Sequence, residues 1–112
     1  MDAKQKILFI DDDRDFGKAI ADYFADKPFR LLFAHSLSEG MALLEHERPE
    51  HLFLDNRLPD GLGWEKTAFI LTHYPEVHLN LLSASEVPKT NSATFRILAK
   101  PISLDALLAC VN

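Results

Sequence analysis

A chain of 112 residues, 47% hydrophobic and 26% charged, has the length and composition of one globular domain, too short for a second core and too apolar for a disordered segment. Its formal charge of −5, with Lys and Arg scattered along the chain, argues against direct nucleic-acid binding, which needs a clustered basic face. The single cysteine, Cys110, excludes an internal disulfide and fits a reducing, cytoplasmic setting, and no apolar run has the length of a secretory leader or a membrane span.

Short apolar runs alternate with segments of helical periodicity. Ile7 to Ile10 reads as a first strand and delivers Asp11, Asp12 and Asp13 at its end. Phe16, Ala19 or Ile20, and Tyr23 or Phe24 then fall on one helical face. Leu31 to Ala34 is the second strand. Ser36, with Glu39 three residues on, is a plausible cap for a helix whose apolar stripe is Leu37, Met41 and Leu44. Leu52 to Leu54 is the third strand and ends at Asp55. The turn around Pro59 carries Gly61 and Gly63, where a positive φ is expected, before a third stripe of Trp64, Ala68 and Leu71.

Leu79 to Leu82, interrupted by Asn80, is the fourth strand and ends at Ser83. Residues 85–94, with Pro88 and many Thr, Asn and Ser residues, predict a loop or a single turn. Phe95 to Ala99 is the fifth strand, followed by Lys100-Pro101 and a last helix capped by Ser103, with Leu104, Leu107, Leu108 and Val111 inward and Cys110 as a small buried hydrophobe. Most of these strands are continuously apolar, which suits a parallel sheet covered on both faces. Strand and helix in alternation imply an α/β fold of five parallel strands with right-handed crossovers.

In such a sheet, ligands gather at the carboxyl ends of the strands. Those ends here carry Asp11, Asp12 and Asp13, then Asp55, Ser83 and Lys100. Crowded carboxylates repel unless a cation neutralises them, and an oxygen-only donor set suits a hard ion such as Mg²⁺. Zinc is disfavoured, because His35, His46, His51, His73 and His78 are dispersed and read as structural or surface residues. A carboxylate beside Mg²⁺, with an ammonium and a hydroxyl close by, is equipment for phosphoryl transfer, with Asp55 as covalent acceptor. Each residue also has a plainer reading. The acids could cap a helix, Asp55 could make a turn, and Ser83 and Lys100 could be solvated loop residues. Their joint placement at successive strand ends carries the functional reading.

The segments ILFIDDDRDF, HLFLDNRLPDGLGWE, NLLSAS and ILAKPIS together resemble the CheY-like receiver domains of two-component response regulators, over essentially the whole chain. The resemblance implies a flavodoxin-like (βα)5 fold with strand order 2-1-3-4-5 and a single domain over residues 1–112. It implies phosphorylation at Asp55, Mg²⁺ held by Asp11, Asp12, Asp55 and the backbone carbonyl of Arg57, and a switch hydroxyl at Ser83 beside the small Ala84. It further implies a Lys100-Pro101 bond that is typically cis. The implied partner is a sensor histidine kinase or a histidine phosphotransfer protein, with an output partner or effector that the sequence does not name. The chemistry would be self-catalysed phosphorylation and slow hydrolysis rather than ordinary enzyme turnover. Arg57 and Ser85 match positions that border the water approaching the phosphoryl group and are expected to set its lifetime.

Two departures stand out. The distance from Ser83 to Lys100 is shorter than the family norm, which predicts a degenerate fourth helix, and Ile97 stands where many relatives carry Tyr or Phe. Signalling is therefore expected to leave by another surface, such as the first helix, or by ordering of a loop. Two further readings are an atypical receiver-shaped binding module that signals without phosphorylation, and a haloacid-dehalogenase-type phosphohydrolase with Asp11 as nucleophile.

Overall fold

The structure is a computed structural model and describes residues 4–83 and 95–112. Five parallel strands, β1 (Gln5–Ile10), β2 (Phe29–Ala34), β3 (His51–Asp55), β6 (His78–Ser83) and β7 (Phe95–Ala99), form one sheet in the order β2-β1-β3-β6-β7. A small antiparallel hairpin, β4 (Arg57–Leu58) with β5 (Gly61–Leu62), sits between β3 and the next helix and was not expected from the sequence. With the hairpin set aside, the order is the expected 2-1-3-4-5. Four α-helices are described, α1 (Arg14–Tyr23), α2 (Leu37–Glu47), α3 (Thr67–His73) and α4 (Leu104–Val111). The expectation of a degenerate fourth helix, and those for Ala84 and Ser85, fall outside the described residues.

Strand periodicity sorts the core into two layers. Leu8, Ile10, Leu52, Leu54, Leu79 and Leu81 face α2 and α3, while Ile7, Phe9, Phe53 and Leu82 face α1 and α4. The central strands β1, β3 and β6 are buried on both faces, so they read as mostly continuous apolar runs, with Asn80 the interruption in β6. The edge strands β2 and β7 are only partly covered. On the α1 side, Phe9 stacks on Phe33 at 5.5 Å and on Phe53 at 5.0 Å, an aromatic row across three neighbouring strands. Opposite it, α2 lies so close to β1 that a Cβ at Gly40 would stand 2.4 Å from Ile10 Cδ1.

Helix starts follow local chemistry. Ser36 Oγ accepts from the Glu39 N–H, Ser103 Oγ from Ala106 N–H, and Asp13 accepts from Asp15 N–H and Phe16 N–H. The third stripe holds in part: Trp64, on a 3₁₀ turn (Gly63–Lys66), and Leu71 pack against the core cluster that contains Ile70, the buried residue of α3, whereas Ala68 faces solvent. Cys110 is partly exposed rather than buried, because α4 buries only Leu107 and Val111 fully. Asn80 is buried between strands, and its amide donates to the carbonyls of His78 at 3.3 Å and Leu52 at 3.5 Å. No helix among the described residues is long and apolar enough to cross a membrane.

Two histidines pair at the amino end of the sheet. His51 and His78 are register partners on β3 and β6, and their rings stack at 5.1 Å. His51 Nε2–H donates to Gln5 Oε1 at 3.0 Å, which leaves buried Nδ1 without a partner among the described residues. Burial, then the neighbouring His78, hold His51 below the usual histidine range, opposed by Glu50.

Two tests follow from this packing. Gly40→Ala should lower the urea midpoint, costing about 1–3 kcal/mol by overpacking against Ile10; an unchanged midpoint would mean that α2 is free to shift. For His51 the folded state resists protonation, so the unfolded chain takes the proton first as pH falls below the histidine range. The stability conferred by neutral His51 is thus present above that range and lost on acidification. Unfolding free energy between about pH 7 and 5 should decline less in His51→Gln than in the parent chain. Identical slopes in the two proteins would contradict it.

Candidate phosphoryl-acceptor and cation site

The site forms where the chain reverses its direction of winding across the sheet. From β1 the chain passes to β2 on one side, and from β3 to β6 on the other. This is the crevice where ligands collect in open parallel sheets. Ile10 and Leu54 are register partners, so the residues after them, Asp11 and Asp55, emerge side by side. Lys100 follows β7, and its backbone N–H donates to the Ser83 carbonyl at 2.7 Å. Asp11, Asp55 and Ser83 are all buried; Asp12 is exposed.

Lys100 Nζ donates to Asp11 Oδ2 at 2.8 Å and stands 3.5 Å from Asp55 Oδ2. Carboxylate oxygens of Asp11, Asp12 and Asp55 lie within 4.8 Å of one another, the arrangement needed to hold a metal ion. Burial, then the charge of Asp11, push the Asp55 carboxyl above its usual range, against the pull of Lys100 and of the Asn56 N–H that donates to Oδ1 at 2.9 Å. For Lys100, burial by itself would lower the pKa. The hydrogen bond and charge of Asp11, with Asp55 behind it, outweigh burial and hold the ammonium above its ordinary value.

Three carboxylates thus cluster where one ammonium contacts two of them, and the excess negative charge suits a divalent cation. The donors are all oxygens, which selects a hard ion. Asp13 turns away from this group. Its carboxylate caps α1, and its N–H donates to Asp11 Oδ1 at 3.0 Å, which fixes the Asp11 side chain. Arg57 lies two residues past Asp55 on β4 with its side chain exposed. The Lys100-Pro101 bond is cis, as the resemblance implied. Pro101 lines a cavity of about 400 Å³ beside the site, together with Asp13, Phe16 and Ile102. Ile97 lies away from the site and packs on the α2–α3 layer.

Two residues that sequence reasoning missed tie the end of β3 to the helices. Asp60, at the tip of the hairpin, accepts from Leu37 N–H at 2.7 Å and Ser38 N–H at 2.9 Å, capping α2 from a different part of the chain. Asn56 accepts through its carbonyl from Gly63 N–H at 2.7 Å and through Oδ1 from Trp64 N–H at 3.1 Å. Gly63 must be glycine, since a Cβ there would stand 2.1 Å from the Asp55 carbonyl oxygen. Gly61 has φ +153°, the positive φ expected in this turn; the same expectation fails at Gly63, whose need for glycine is the close approach alone. The sequence offered no signal for the Asp60 contact, because its partners lie 22 and 23 residues away.

This arrangement defines a class, an α/β domain with an acidic, cation-ready pocket at the switch point of a parallel sheet. Residues 7–112 match the response regulator receiver domain family, and the chain belongs to that family. Among curated relatives, it is 28% identical over 112 residues to the acid tolerance regulatory protein ActR of Rhizobium meliloti, covering 96% of this chain and 58% of that protein. The chain spans about half the length of the curated relatives it matches. Among solved structures, the signal receiver domain of an HD domain-containing protein from Pseudomonas fluorescens Pf-5 superposes with a TM-score of 0.85 at 22% identity, covering 97% of this chain and 92% of that one. A Burkholderia pseudomallei response regulator, solved with a phosphorylated aspartic acid, a calcium ion and citrate, gives 0.81 at 22% identity, covering 96% and 66%.

The backbone N–H groups of Leu37 and Ser38 hold the Asp60 carboxyl below its usual range. The stability that Asp60 confers is present above the unfolded carboxylate pKa and lost as pH falls through the lower folded value. Asp60→Ala should therefore lower Tm at neutral pH, with the gap from the parent chain closing in strong acid. A gap that stays constant with pH would show that charge at the α2 amino end does not matter.

Proposed function

We propose that this chain is an active receiver, phosphorylated on Asp55 by a phosphohistidine of a sensor histidine kinase or phosphotransfer protein. The observation that carries this reading is the convergence of Asp11, Asp12 and Asp55 on one another, with the ammonium of Lys100 against Asp11 and Asp55. Asp11, Asp12, Asp55 and the Arg57 carbonyl would hold Mg²⁺, which when bound offsets the charge of the carboxylates and of the phosphoryl oxygens.

In the transfer, a carboxylate oxygen of Asp55 forms a bond to phosphorus as the phosphorus–nitrogen bond of the donor breaks. The electron pair of that bond leaves with the imidazole, which regains a proton from solvent. Lys100 supplies fixed positive charge to the phosphoryl oxygens, and the Ser83 hydroxyl donates a hydrogen bond to them. Water later attacks phosphorus, releasing inorganic phosphate and restoring the Asp55 carboxylate, with Arg57 and Ser85 setting the rate. The phosphorylated aspartic acid of the Burkholderia relative is consistent with this chemistry.

The signal then leaves through residues 56–64. Asn56 and Gly63 join the acceptor strand to the 3₁₀ turn that leads into α3, and Asp60 joins the same hairpin to α2. Altered partner binding by an effector is the output, with the domain working in the cytoplasm and without direct contact to nucleic acid.

Thermal denaturation with Mg²⁺, then with added beryllofluoride, tests the proposal on the parent chain and on Asp55→Asn. Ligands that bind only the folded state raise Tm by mass action. Both additions should raise Tm in the parent chain, and the beryllofluoride increment should vanish in the variant. A Mg²⁺ response with no beryllofluoride increment in the parent would instead favour a binding module that signals without phosphorylation. Labelling that mapped to Asp11 would transfer the chemistry to a phosphohydrolase.

A further inference from the structure

A second feature lies on the α2–α3 face, away from the carboxylate pocket. Between these helices runs an open groove of about 520 Å³. Its apolar lining is Met41, Ala42, Phe69 and Tyr74, and Phe69 is 46% exposed, one of two large hydrophobic side chains left so open among the described residues. The Phe69 ring is held in place by His73, whose ring stacks on it at 4.1 Å and whose Nδ1 hydrogen-bonds the Phe69 carbonyl at 3.0 Å.

Cations stand at both ends of this apolar stretch. Arg48 closes α2, with its guanidinium 5.0 Å above the Tyr74 ring. Lys66 immediately precedes α3. The seven residues of α3 separate the two ends, a rise of roughly 10 Å. Among the described residues, neither Arg48 nor Lys66 forms an ion pair, although carboxylates outnumber cations in the chain, 17 to 12. Glu45 is the one carboxylate in the lining. The lining therefore carries more cationic than anionic side chains, Arg48 and Lys66 against Glu45, on a chain whose net charge is −5.

From this we infer that the α2–α3 groove is a docking surface for an acidic peptide segment of a partner protein, with an apolar side chain seated against Phe69 and carboxylates reaching Arg48 and Lys66. A small inorganic anion needs donors that converge on one point, whereas these cations stand apart with hydrocarbon between them. An amphipathic acidic segment matches both features at once. The inference stands on the groove alone and does not depend on the chemistry at Asp55.

The test is selection of a displayed random peptide library on the full chain, with depletion against Lys66→Glu. One enriched peptide is then synthesised and titrated into isotope-labelled protein. Lys66 and Phe69 are both exposed, so substitutions there leave the core intact. Enriched sequences should place acidic residues on either side of an apolar one, and amide shifts should cluster at Met41, Arg48, Phe69 and Tyr74. Lys66→Glu and Phe69→Ser should each weaken binding by about fivefold or more. Enrichment of neutral or basic sequences, shifts on another face, or equal affinity for Lys66→Glu would each overturn the inference. So would displacement of the peptide by inorganic pyrophosphate, or self-association of the chain lost in the same variants, which would assign the groove to a small anion or a second copy.

Discussion

Three carboxylates crowd one end of a hydrophobic sheet, and Lys100 is the ammonium that holds two of them together. Like charges this close repel strongly where water is largely excluded, and the penalty must be met by the rest of the fold. The central strands below meet it. Ile7, Leu8 and Ile10 on β1 and Leu52, Phe53 and Leu54 on β3 are fully buried, so the sheet beneath the site is rigid and cannot splay to relieve the repulsion. Burial first, and then the charge of Asp11, push the Asp55 carboxyl above its usual range.

The loop after Asp55 turns this local electrostatics into longer-range structure. The Asp60 carboxylate completes the amino end of α2, and Asn56 occupies the backbone donors at the start of the 3₁₀ turn. Both are short, directional contacts to groups that would otherwise lack partners. A change at Asp55 therefore reaches two helices through a hairpin of a few residues. The α1–α4 layer is built differently, from the stacked Phe9, Phe33 and Phe53 row and from a hydrogen bond between Tyr23 and Asp105 that ties the two helices together. It meets the site through Asp13, which caps α1 while its N–H donates to Asp11, and through the Phe16 ring, which lies 5.6 Å from Lys100 Nζ.

Much of this was legible in the residues. Unbroken apolar runs at 7–10 and 52–54, and the run at 79–82 interrupted only by Asn80, are what two-sided burial demands, and charged or hydroxylated residues at their carboxyl ends are what the solvent-facing rim permits. Ser36, Ser103 and the inward faces of α1, α2 and α4 follow from local periodicity and capping, which depend on residues a few positions apart. Ala68 and Cys110 were misplaced for a related reason. The buried face of α3 centres on Ile70, and a short terminal helix covers less than its composition suggests.

By itself the sequence determined which residues are apolar, where helices can start, and that acids, a hydroxyl and a lysine follow successive strands. Strand order and register decided that Asp11 and Asp55 are neighbours, that one ammonium serves both, and that Asn80 finds carbonyl acceptors between strands. They also decided that Asp60 caps a helix begun more than twenty residues earlier and that Arg48 and Lys66 flank one groove. The division has a physical basis. Local propensity acts over a helical turn or a strand pair, whereas charge balance and backbone satisfaction at this rim depend on groups that meet only when the sheet is assembled.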